Sequence, residues 1–230
     1  MTLFQSTALL VVLVWLAAVA WRYRRSTPVL VGGLVVVGAY AAAAVATGRA
    51  SLADLGLGLG RSPAWTMGWA LGGLAVLLAW SPVADRIATR LVAAPPTLGT
   101  FAALKQSAAK LVAGIVVAWS LGGVLEELTF RGVVLPAVAR GLGPFLPGGV
   151  ASAIAVVVAA LGAGVIHFYQ GERAVLIIVQ LSVLFGVLFV VSGGNLWSVM
   201  LCHGLYDTIA FIRFGLGKSK YSKTADAGAA

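Results

Sequence analysis

Residues 112–137 read VAGIVVAWSLGGVLEELTFRGVVLPA. The stretch is apolar and long enough to cross a ~30 Å hydrocarbon core, for which a helix needs about 20 residues. Yet its second half carries Glu126, Glu127 and Arg131. Ionisable groups inside a span cost a few kcal/mol each, so they face the interior of a bundle and find partners there. The stretch therefore predicts a helical membrane fold with a polar interior.

The rest of the chain agrees. It has 230 residues, 60% of them hydrophobic and only 10% charged, with a mean hydropathy of +1.01. A soluble domain carries about a quarter charged residues. Stretches 3–21, 27–47, 64–81, 149–168, 174–192 and 196–214 are also span-like, giving seven with 112–137. An interfacial or re-entrant helix in 138–150 would raise the number to eight. The predicted fold is an all-α, polytopic transmembrane helix bundle. Residues 82–110 carry charge and the APP break at 94–96, and read as a surface segment with a short helix. The expected organisation is one bundle in three stretches: N-terminal spans and surface segment (1–98), motif-bearing core (99–216) and a basic, disordered tail (217–230). The first span, LLVVLVWLAAVAW, precedes its positive charges (RYRR, 22–25), the reverse of a secretory signal, and reads as retained. One cysteine, Cys202, excludes an intrachain disulfide framework.

Net charge is +9, but the basic residues lie at span ends and suggest topology, not nucleic-acid binding. With RYRR inside, the cytoplasmic side collects Arg22, Arg24, Arg25, Arg86, Arg90, Lys105, Lys110, Arg173, Arg213, Lys218, Lys220 and Lys223, twelve of the sixteen basic residues. Arg49, Arg61, Arg140 and nominally Arg131 fall on the other side. The bias predicts N-terminus out and C-terminus in. Lys218, Lys220 and Lys223 suit anionic lipid.

Of the seven acidic residues, Asp54 and Asp85 fall in expected loops, Glu172 at a span end and Asp226 in the tail. Glu126, Glu127 and Asp207 remain in spans, as do both histidines, His167 and His203. Glu127 and Arg131 are i,i+4 and can neutralise each other on one face; Glu126 points about 100° away. His203 and Asp207, in HGLYD, also share a face. His167 lies in GAGVIHFYQG, whose small residues admit a neighbouring helix. Two carboxylates and two imidazoles from three helices can hold and deprotonate a water, with or without a metal ion. Singly, each has a plainer reading: a structural ion pair, an interfacial histidine, a helix-stabilising pair. Their coincidence on late spans favours a site.

These residues resemble the motifs of the CPBP family of intramembrane endopeptidases, which includes the type II CAAX prenyl proteases and the Abi proteins. The first motif, two glutamates, three residues and an arginine, is matched by EELTFR (126–131), followed by Gly132. The third, His-x-x-x-Asn/Asp, is matched by HGLYD (203–207), preceded by GNLW (194–197). The second, Phe-x-x-x-His, is matched at His167 but has Ala163 in place of phenylalanine. The resemblance covers about 110 to 210 and implies an intramembrane endopeptidase acting on a peptide or protein. Glu126 would be the general base, supported by Glu127 and Arg131, and His167 would hold the attacking water. His203 and Asp207 would stabilise the oxyanion or, with Glu126 and His167, bind zinc; the cofactor expectation is none or zinc. An ionised aspartate cannot donate to an oxyanion, so Asp207 must be protonated, orient His203 or ligate a metal.

Two other functions fit the sequence: a non-catalytic scaffold, regulator or immunity protein with this fold, and a proton-coupled transporter. The Ala/Val/Gly/Leu-rich composition suggests a prokaryotic plasma membrane. In a simple drawing Glu126 lies too far toward the outer side to meet His167, so convergence predicts a Glu-bearing helix starting near 117, with 100–116 along the surface and the site in the cytoplasmic half.

Overall fold

The computed structural model describes residues 2–23, 26–58 and 62–222. Arg24, Arg25, Arg61, Lys223 and Asp226 lie outside the described residues. The described residues form seven long helices: α1 (Leu3–Tyr23), α2 (Thr27–Ala46), α3 (Pro63–Leu91), α4 (Ala108–Leu142), α5 (Gly148–Val165), α6 (Glu172–Val191) and α7 (Leu196–Gly215). No strand occurs among the described residues. Helices α1 to α6 are long and apolar enough to cross a membrane. α7, with 20 residues, equals α2 in length, and His203, Asp207 and Arg213 lower its hydropathy.

Residues 138–150 form no eighth helix of their own: α4 runs to Leu142 and α5 starts at Gly148. Residues 82–91 are not a surface segment, because α3 continues through Pro82 to Leu91. A proline inside a helix forfeits a hydrogen bond, but Ala84 and Ala88, fully buried, bring this last part of α3 against its neighbours. At ~1.5 Å per residue its 29 residues span roughly 43 Å, so Asp85, Arg86 and Arg90 lie on a helix extending past the hydrocarbon, not in a loop. Residues 217–222, expected in a free tail, turn back on the bundle. Lys220 and Tyr221 both reach Asp85, and Lys105 donates to the Ser222 carbonyl at 2.9 Å.

The Glu-bearing helix starts at Ala108, not near 117. It is 35 residues long, with Glu126 and Glu127 near its middle. After the turn at 143–147, α5 runs back antiparallel for 18 residues and delivers His167, just beyond its end, to the level of Glu126. The depth difficulty disappears because α4 is longer than a span. α7 also lies antiparallel to α4, with Gly132 beside Leu196 and Gly114 beside Phe211. The turn into α7 uses Gly193 and Gly194 at φ 76° and 74°, a left-handed backbone that only glycine enters without strain. Asn195 then caps α7, accepting from the Ser198 amide at 3.4 Å and donating to Thr66 at 2.9 Å. GNLW is therefore a turn, a cap and a helix start.

Candidate active site

Helices α4 and α7 approach through glycines, so their polar side chains meet. A Cβ on Gly204 would fall 2.4 Å from the Trp119 ring, and one on Gly122 would fall 2.9 Å from Asp207 Oδ2 and 3.3 Å from His203 Nε2. Small residues at a helix crossing permit such close backbones. Here α4 also widens into π-type winding over Trp119–Glu126 and Leu128–Val134, a distortion common at functional sites.

The two adjacent glutamates occupy different environments. Glu127 is 0% exposed and Arg131 1%. Arg131 Nη1 donates to Glu127 Oε1 at 3.0 Å, while its Nη2 donates to the Ser182 carbonyl at 2.7 Å and hydroxyl at 2.5 Å. His203 Nδ1 lies 2.6 Å from the same Oε1. With Glu127 ionised against Arg131, the carboxylate can only accept, so Nδ1 carries the proton. Glu127 Oε2 and Arg131 Nε have no hydrogen-bond partner among the described residues. On the other side of the ring, His203 Nε2 lies 3.5 Å from Asp207 Oδ2. Phe185 of α6 stacks on the imidazole at 4.6 Å and lies beneath the Arg131 guanidinium at 5.4 Å.

Glu126 points away from this chain of contacts. Its Oε1 lies 3.8 Å from His167 Nε2, longer than a direct hydrogen bond. His167 Nδ1 is 2.8 Å from the Ala163 carbonyl, which can only accept, so Nδ1 is protonated and Nε2 is turned toward Glu126. The alanine at 163 thus orients the histidine through its backbone, whatever the side chain.

Glu126, His167, His203 and Asp207 all line one cavity of about 950 Å³. Arg131 borders it, and Leu30, Leu34, Leu78, Val117, Leu121 and Ile178 give it apolar walls. Toward the basic end it is lined by Arg86, Arg213 and the returning Ser219–Tyr221 segment. Tyr169, in the short turn Phe168–Gln170, stacks on His167 at 6.0 Å and accepts from Gln170 at 2.8 Å. Burial pushes its phenol up to about 12, leaving an O–H donor beside the histidine.

Sequence reading missed Tyr169, Ser182, Phe185 and Gly122. Tyr169 is two residues from His167 and could have been flagged by adjacency. Ser182 and Phe185 sit in an apolar helix without any motif, and only their distance from Arg131 and His203 reveals them.

Zinc sites take three or four protein ligands around one point. Among the described residues no three His, Cys, Asp or Glu side chains are gathered in this way. Glu126 with His167 and His203 with Asp207 are separate pairs, and both His203 nitrogens face carboxylates. As placed, these residues do not fit a zinc set.

Residues 108–209, spanning α4 to within α7, match the family model described as Type II CAAX prenyl endopeptidase Rce1-like. No curated protein and no solved structure matches the chain.

Proposed function

We propose, from the match of residues 108–209 to the Rce1-like type II CAAX prenyl endopeptidase model, that the chain belongs to that family and hydrolyses a peptide bond with a water activated by Glu126. The observation that carries this reading is the contrast between the adjacent glutamates. Glu127 is sealed against Arg131 and His203, whereas Glu126 lines the cavity and faces Nε2 of His167.

A water between Glu126 and His167 donates one hydrogen to each, which turns its oxygen lone pair toward the cavity. As that oxygen bonds to the substrate carbonyl carbon, its proton passes to Glu126. The carbonyl π pair moves onto oxygen, where the proton shared by His203 Nε2 and Asp207, or the Tyr169 phenol, stabilises it. Collapse re-forms the carbonyl and breaks the C–N bond, and the proton on Glu126 passes to the leaving amine. Asp207 serves by orienting His203 and holding that proton against its Nε2. The apolar walls suit a substrate with hydrophobic side chains, and the basic end of the bundle, on the charge asymmetry, faces the cytoplasm of a prokaryotic plasma membrane.

The test uses protein in nanodiscs and peptides ending in a CAAX sequence, prenylated and unprenylated, with fragment release followed by mass spectrometry. Glu126→Gln is expected to lower the rate at least ~100-fold without changing the melting midpoint. Wild-type rates in that variant would remove Glu126 as the base. Flux of protons across proteoliposomes, lost in the variant and unaccompanied by cleavage, would favour the transporter instead.

A further inference from the structure

α6 carries none of the motif residues, yet it holds the chain of contacts that ends at His203. Arg131 Nη2 is clamped by two oxygens of one α6 residue, the Ser182 carbonyl and hydroxyl. One helical turn on, the Phe185 ring stacks on the imidazole and also lies against the guanidinium. Ser182 is 4% exposed and Phe185 5%, so neither competes with water for these contacts.

We infer that Ser182 and Phe185 are positioning residues that, through Arg131 and Glu127, lock His203 in the tautomer with Nδ1 protonated and aim its Nε2 at Asp207 and the cavity. The physical reason is the branching of Arg131. A guanidinium has five donors in one rigid plane. Fixing Nη2 on Ser182 fixes that plane, and with it the direction from which Nη1 meets Glu127 Oε1. That leaves the carboxylate one orientation in which the same oxygen also receives His203 Nδ1–H. Phe185 contributes the other constraint, because an imidazole stacked at 4.6 Å and 23° cannot rotate about its side-chain bond without losing the ring contact. The hydrogen bond to Glu127 selects the tautomer, and the stack selects the plane.

The catalytic consequence rests on the hydrolase reading; the tautomer lock does not. The chain has two histidines, so protein labelled with ¹⁵N-histidine has two imidazoles, told apart with His167→Gln. In wild-type protein the His203 signals are expected to be those of one tautomer, protonated at Nδ1. Ser182→Ala and Phe185→Leu are expected to give mixed tautomers at His203 while His167 keeps its signals, and Ser182→Thr, which retains the hydroxyl, to restore the wild-type spectrum. In the cleavage assay both loosened variants are expected to lose roughly 10- to 100-fold in kcat with KM within about twofold, the mark of a misaimed group and not of lost binding. His203 signals unchanged in both variants would overturn the inference, as would equal changes at both histidines, which would mean general loosening. If wild-type protein cleaves no peptide, the hydrolase reading fails and the spectra still decide the positioning role.

Discussion

Glu127 and His203 are 76 positions apart, on different helices, and their side chains meet at 2.6 Å. The contact makes Glu127 the shared acceptor of an arginine and a histidine, and it separates the tasks of two neighbouring glutamates. One closes a buried charge network, and the other is left to face the cavity.

That separation sets opposite expectations for two isosteric changes. Glu127→Gln removes the counter-charge of a guanidinium that is 1% exposed and should destabilise the protein by roughly 3–5 kcal/mol. Glu126→Gln, in a side chain that reaches the cavity, should leave stability unchanged within about 0.5 kcal/mol. Thermal unfolding in the same detergent checks both. Equal midpoints for the two variants would contradict the burial difference.

Two glycine changes should part in the same way. Gly122→Ala puts a methyl 2.9 Å from Asp207 Oδ2, on side chains that can shift, so the His203–Asp207 pair is displaced and the cleavage rate should fall more than ~10-fold. Stability should hold, because alanine is the better helix former by up to about 1 kcal/mol. Gly204→Ala drives a methyl into the Trp119 ring at 2.4 Å and should cost about 1–3 kcal/mol by overpacking. Rate and melting midpoint, measured on both variants, distinguish a displaced pair from a forced helix crossing.

Chelation provides a third check. With Glu126–His167 and His203–Asp207 as separate pairs, cleavage should proceed undiminished after treatment with a zinc chelator. Activity lost on chelation and regained with zinc would mean that the two pairs close into one ligand set during turnover.

Tyr169→Phe tests the phenol as an oxyanion donor. The expected loss is on the order of 100-fold in kcat, with little change in KM. Because burial raises this phenol to about 12, it remains the neutral donor below that value and is lost only as pH rises through it. The rate difference between wild type and Tyr169→Phe should therefore stay constant from pH 6 to 9, and a difference that vanished toward pH 9 would count against the assignment.

Hydrophobic runs and helical spacing were enough to place the seven long helices, the Glu127–Arg131 pair and the His203–Asp207 pair. Both pairs are local, at i,i+4, and so could be read along the chain. The charges of 82–110 and the APP break at 94–96 read as a surface segment and hid the end of α3. Burial of Ala84 and Ala88 against neighbouring helices overrode that local signal. The depth of Glu126 was misjudged for a related reason: the apolar run understated the length of α4.

What the sequence determined by itself is the class of fold and the stock of chemistry. Hydrocarbon admits a helix only if it is apolar and long, and it makes every charge placed there conspicuous. What the tertiary structure alone decided is which charge meets which. Glu126 and Glu127 are identical in the chain, and only the packing of α6 and α7 against α4 buries one beneath Arg131, Ser182 and His203 while opening the other to the cavity. The reason is geometric: partners from different helices are selected by the crossing of whole helices, set by glycines, alanines and aromatic rings spread along their lengths, and no spacing within one segment encodes it.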